Sequence, residues 1–166
     1  MNNLDNLDKA GLYTRIQEQL KADQDLLLQA ASAAHAAATH AENIPDSKYE
    51  TLSIEASYIA QGQANRAQEI GLAIESFRQL PPKNFPPGSP IRLGALIQLE
   101  DENNQKRRIL LGPAAGGLKI DFAGVEIMVI TPDSPLGENL LGKQVGDDCE
   151  LAAAGRLREY RILQVS

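Results

Sequence analysis

Across residues 1–80 apolar positions recur every three or four residues, whereas beyond residue 90 they fall in short runs between polar, glycine-containing turns. Leu12, Ile16 and Leu20, then Leu27, Ala31, Ala34 and Ala38, keep that spacing without a proline and predict one long amphipathic helix. Tyr49, Leu52, Ala56, Ile59, Gln63, Arg66, Ile70, Ala73, Phe77 and Leu80 predict a second, a heptad seam interrupted by Gln63 and Arg66. Between them Glu42-Asn43-Ile44-Pro45-Asp46-Ser47 is long enough only for a hairpin tip, so the helices are expected to pair antiparallel. Arms of roughly 30 residues, rising 1.5 Å per residue, make a probe of about 45 Å. The alanines from Ala30 to Ala38 permit close helix approach and a slender distal part.

Five prolines in residues 81–90 forbid helix continuation and a regular ladder, which marks a linker. Beyond it, Ile91 to Leu99 and Arg107 to Leu111 flank the polar turn Glu100–Gln105 as a hairpin, and Val125 to Ile130 reads as a short buried strand. Ser134 is placed to cap a short helix, with Pro135 at its first position and Gly142 at its end. Cys149 to Ala153 and Leu157 to Val165 complete the strands. The expected fold class is α+β: a helical hairpin over residues 1–80, a linker over 81–90, and a small antiparallel sheet with one helix over 91–166.

Composition narrows what such a chain does. The 166 residues exclude a large multidomain enzyme, and a 4% aromatic fraction without Trp leaves little for base-stacking platforms. The net charge of −6 has the wrong sign for gripping phosphates directly. That acidity is uneven, with residues 1–80 carrying −5 and the remainder −1. A single cysteine, Cys149, rules out an internal disulfide, and no segment approaches the roughly 18 apolar residues of a membrane span, so a cytoplasmic protein is expected.

Most apparent motifs carry no chemistry. Gly137 to Lys143 has the spacing of a phosphate-binding loop, but Gln144 replaces the Mg²⁺-ligating hydroxyl and the strand–loop–helix context is missing. His35 and His40, five apart, diverge by about 140° on a helix. Cys149 alternates with Leu151 and Ala153 as a buried thiol would. The tip is different: Glu42, Asp46 and Glu50 gather carboxylates that suit Mg²⁺, although Asp46 or Ser47 equally suits a helix cap and Glu50 the positive end of the helix.

Asp133-Ser134-Pro135-Leu136-Gly137-Glu138-Asn139-Leu140-Leu141-Gly142-Lys143-Gln144-Val145-Gly146-Asp147 resembles the C-terminal signature of the bacterial Gre transcript-cleavage factors. Arg158 to Leu163 resembles that family's final strand, and Leu110-Leu111-Gly112 and the helical hairpin also fit. The resemblance implies a GreA/GreB-like protein with an antiparallel coiled coil and an FKBP-like domain. Such a factor docks on the rim of RNA polymerase's secondary channel and inserts its tip toward the active site. Tip acids then help hold a Mg²⁺ shared with the polymerase, which cleaves its own backtracked RNA, so the protein is an accessory factor and not an enzyme. Nucleic acid is met only through the polymerase, and a monomer is expected.

The same resemblance assigns Asp133, Ser134 and Pro135 to polymerase docking. At the tip its pattern is an acid, Leu, Ser, an acid, Asn, two variable residues and Tyr; anchored on Tyr49, the first acid falls on Glu42 and the second on Pro45. Asp46, one position later, stands in as the second catalytic and metal-holding carboxylate beside Glu42. This divergence at the tip brings in the alternative of a channel-binding regulator without efficient cleavage. An isomerase or chaperone reading needs clustered aromatics, and beyond Phe85 only Phe122 and Tyr160 remain. Gln63 and Arg66 work against a dimerising coiled-coil adaptor.

Overall fold

The computed structural model describes residues 4–42 and 47–166; the side chains of Asp5, Glu42, Ser47, Lys48, Tyr49 and Ala153 also lie outside the description. A 3₁₀ turn (Leu4–Asn6) precedes α1 (Lys9–Glu42) and α2 (Ser47–Gln79). There follow β1 (Leu96–Asp101), β2 (Lys106–Leu111), β3 (Lys119–Phe122), β4 (Val125–Ile130), α3 (Pro135–Leu140), β5 (Asp148–Ala153) and β6 (Arg156–Val165). The chain separates into two compact units, Gln17–Glu75 in one and Met1–Ile16 with Ser76–Ser166 in the other.

In the first unit the helices run antiparallel. Gln24 Nε2 donates to the Ala67 carbonyl at 3.0 Å and Ser53 Oγ to that of Ala38 at 3.1 Å, so a step up one helix matches an equal step down the other. The α1 seam is as expected, with Leu20 and Ala38 buried and Leu27, Ala31 and Ala34 half-buried. The α2 seam needs correcting. Ala56, Gln63 and Ile70 are sheltered as expected, but Leu52 and Ile59 are 48% and 55% exposed and Arg66 is exposed, while Ser53, Ala60 and Ala67 take their places. Small side chains let the backbones close, and Ser53 and Gln24 bond to the opposite helix's carbonyls, so close contact between backbones replaces a large apolar ridge.

The second unit holds a six-stranded sheet in the order β3-β4-β2-β1-β6-β5. All neighbours are antiparallel except β2 and β4, which run parallel, and β3 is a strand that the apolar pattern did not predict. Two hairpins close on two-residue turns with both φ positive, Ala123-Gly124 and Ala154-Gly155. On one face of the sheet Ile97, Leu99, Ile109, Leu111, Ile130, Cys149 and Ile162 form a core with Leu136 and Leu140 of α3, and Phe85 from the proline-rich segment packs against it.

Helix ends cover the other face. Tyr13 and Phe77 meet edge to face at 5.8 Å between centroids. A Cβ on Gly112 would stand 2.8 Å from Val129 Cγ1 and 3.0 Å from the Phe77 ring, so glycine there is what allows the end of α2 to press on the strand. Among the described residues no helix is long and apolar enough to cross a membrane.

Candidate docking site at the start of the third helix

Where β4 ends, Thr131 to Pro135 turn the chain into α3. Ser134 caps the helix in extended geometry (φ −73°, ψ 156°): its Oγ accepts from the Gly137 amide at 3.1 Å and donates to the Thr131 carbonyl at 2.7 Å. Pro135 follows at the first helical positions, where a missing N–H costs nothing. A Cβ on Gly137 would stand 2.0 Å from the Thr131 carbonyl oxygen, so the first glycine of the loop-like motif permits a close backbone approach. Leu136 and Leu140 anchor the helix in the core, and Asn139 Nδ2 donates to the Glu150 carbonyl at 2.9 Å, tying it to β5. Asp133 and Pro135 are exposed, and Ser134 is half-buried.

Cys149 lies beneath this helix, buried as expected. Burial pushes its thiol pKa up, against the opposing pull of Lys143 and with a further push from Asp148. A thiol held protonated and inside is a packing residue rather than a nucleophile.

One electrostatic feature escaped the sequence reading. Lys9, only 2% exposed, donates from Nζ to the carbonyls of Lys83 and Gly94 at 2.8 Å each and to the main-chain oxygen of Ser166 at 2.7 Å. Its ammonium sits 4.5 Å from the centre of the Phe85 ring, which Arg92 also covers at 4.0 Å. Burial, and secondarily the Arg92 charge, brings its pKa down to about 8. A signal was available, because a lysine in the first turn of a helix opposes the macrodipole and needs a local reason. Here that reason is three main-chain oxygens.

Residues 86–166 match the family model described as transcription elongation factor, GreA/GreB, C-term. That stretch is similar to the C-terminal part of the GreA/GreB factors. The transcription elongation factor GreA of Polaromonas naphthalenivorans is 28% identical over 102 residues, covering 60% of each chain. That of Rhizobium etli (strain CIAT 652) is 34% identical over 79 residues, covering 48% of this chain and 47% of its own. The chain thus spans about half to three-fifths of the length of these curated relatives. Among solved structures, GreA factor homolog 1 (Gfh1) of Thermus thermophilus aligns with 93% of this chain and 94% of its own at 23% identity. Its TM-score of 0.40 is too low to equate residues.

The matched stretch includes Asp133, Ser134 and Pro135 and leaves Glu42 and Asp46 outside it. Glu42 is the last residue of α1, with its side chain outside the description, and Asp46 lies outside the described residues altogether. His35 and His40 are exposed. No group of three or more His, Cys, Asp or Glu suited to a metal ion occurs among the described residues. The strand register puts Tyr160 and Phe122 on opposite faces of the sheet, so these two aromatics do not converge on one pocket.

Proposed function

We propose that this GreA/GreB-like chain is a transcription elongation factor that binds RNA polymerase at its secondary channel and promotes cleavage of backtracked RNA by the polymerase active site. The reading rests on one observation, a GreA/GreB C-terminal domain preceded by antiparallel helices of 34 and 33 residues. At 1.5 Å per residue each helix is about 50 Å long, enough for an arm that reaches into a deep channel. Asp133 and Pro135, exposed on either side of the capping Ser134, are the docking contacts in this reading.

In the same reading Glu42 and Asp46 deliver carboxylates to a Mg²⁺ shared with the polymerase. Carboxylate oxygens are the hard donors that this ion takes, one or two at a time, beside phosphate and water. The ion when bound supplies charge stabilisation for phosphodiester hydrolysis. The chain's own part is to position two acids, so it acts as an accessory factor and not as an enzyme. With a net charge of −6 it meets RNA only inside the polymerase complex.

Pro45, at the place of the second acid, favours a second reading: a factor that occupies the channel without efficient cleavage. Transcript cleavage in an artificially backtracked complex of cognate polymerase separates the two, with binding measured in parallel for wild type, Glu42→Ala and Asp46→Ala. Cleavage that either substitution abolishes without loss of binding supports the first reading. Binding without cleavage supports the second, and absence of binding refutes both.

A further inference from the structure

The ladder between β2 and β4 runs from Leu111↔Ile130 to Arg108↔Ile127 and ends there. Below that point Lys106 and Arg107 on β2 have lost β4 as a neighbour, while Val125 and Glu126 on β4 still pair with β3. The parting strands leave a cavity of about 250 Å³. Four cations line it, Lys106, Arg107, Arg108 and Lys119, against the single carboxylate of Glu126, and the half-buried Met128 gives it an apolar floor beside the fully buried Ile109. Such a concentration of positive charge is out of keeping with a chain of net charge −6.

The cations are poorly answered from within the molecule. Lys119 reaches Glu126 only at 4.0 Å, with both side chains more than 60% exposed. Arg107 leans over the Tyr160 ring at 5.7 Å. We propose that this slot is a docking site for an extended, acidic protein segment that carries an apolar side chain between its carboxylates. Guanidinium and ammonium groups would pair with the carboxylates, and the half-buried Met128 would take the apolar residue. A nucleic acid strand fits less well, because two further clefts on this unit mix Glu100, Asp101, Glu102 and Glu159 with Arg156, Arg158 and Arg161, so positive charge forms no unbroken track.

The site does not include Asp133, Ser134 or Pro135, and its test needs no polymerase, so this inference and the proposed function can fail separately. The full-length protein is titrated with a labelled peptide of alternating Glu and Leu, with its Gln-for-Glu counterpart, and with single-stranded oligouridylate. Backbone amide shifts are recorded by NMR throughout. The acidic peptide is expected to bind with salt-sensitive affinity and to move the amides of residues 106–109, 119 and 126–128. Arg107→Glu and Lys119→Glu should each weaken it about tenfold, and Lys21→Glu on α1 should not change it. Equal binding of the neutral peptide, indifference to both reversals, or no binding up to about 1 mM would overturn the proposal. Oligouridylate displacing the peptide from the same amides would overturn it in favour of a phosphate site.

Discussion

Replacing Lys9 by Met keeps the apolar stem and removes the ammonium that joins the main-chain oxygens of Lys83, Gly94 and Ser166. Hydrogen bonds to a charged group stabilise by about 1.5–3 kcal/mol each, and a buried polar group left without a partner costs about 1–3 kcal/mol. The three losses differ in kind. The Lys83 bond is only partly buried, so that carbonyl can turn to water, and the Ser166 main-chain oxygen keeps the Leu96 amide at 2.9 Å. The Gly94 carbonyl, in a buried bond, loses the donor recorded for it. Relief of the ammonium's desolvation offsets part of the total and leaves a net loss of about 2 kcal/mol. Urea unfolding of the full chain at pH 7, followed by far-ultraviolet circular dichroism and tyrosine fluorescence, measures it. The folded pKa of about 8 lies below the ordinary 10.5, so between those values the unfolded chain binds more protons and the wild type gains stability with rising pH. The Met variant lacks that gain, and the gap between the two proteins should widen from pH 8 to 10.5. A variant within about 0.5 kcal/mol of wild type at pH 7, or a gap that narrows over that range, would refute the reasoning.

Three further outcomes are expected. Ala67→Leu, at a 2% exposed seam position, should overpack the hairpin and cost about 1–3 kcal/mol in urea unfolding, whereas Leu52→Gln should stay within about 0.5 kcal/mol. Burial raises the Tyr13 pKa to about 12, so the unfolded chain loses that proton first and stability should fall between pH 10 and 12. Tyr13→Phe should remove the fall and, because the hydroxyl is buried without a partner, match or exceed wild type by up to about 1 kcal/mol in the same titration. Gly137→Ala should cost about 3 kcal/mol in thermal or urea unfolding because its Cβ meets the Thr131 carbonyl.

The helices, the turn after β1 and the capped start of α3 were legible because each rests on local chemistry: spacing, a carboxylate that accepts from nearby amides, a serine before a proline. Asp101 Oδ1 accepts from the amides of Asn103 and Gln105 at 2.9 Å, which is the kind of turn an Asp-rich stretch announces. What stayed hidden depends on distant partners or on an uncommon residue. β3 went unread because its turn is Ala123-Gly124, with alanine at φ 51° where Asn or Asp would have signalled a hairpin. The parallel pairing of β2 and β4 joins segments separated in sequence, and their apolar runs look alike in either direction. The α2 seam was misplaced because hydrophobicity favours Leu52 and Ile59, while close backbone approach favours Ser53, Ala60 and Ala67. The candidate docking segment was visible through its family resemblance, yet the slot between β2 and β4 was not, since its cations come from two strands, β2 and β3, whose register sequence alone does not supply.

The segment from Asp133 to Pro135 divides between folding and recognition. Ser134 is committed to the fold, because one hydroxyl satisfies both the Gly137 amide in the first turn of α3 and the carbonyl of Thr131 just past β4. Its substitution alters the helix start whatever else it touches, so a binding defect in a Ser134 variant is ambiguous. Asp133 and Pro135 carry no comparable burden: both are exposed, and a first-turn proline only pre-sets a torsion that other residues adopt readily. If the segment contacts a partner, these two side chains can be changed with the helix left in place. The docking reading therefore stands or falls on Asp133 and Pro135, and Ser134 tests only whether the surface that presents them is intact.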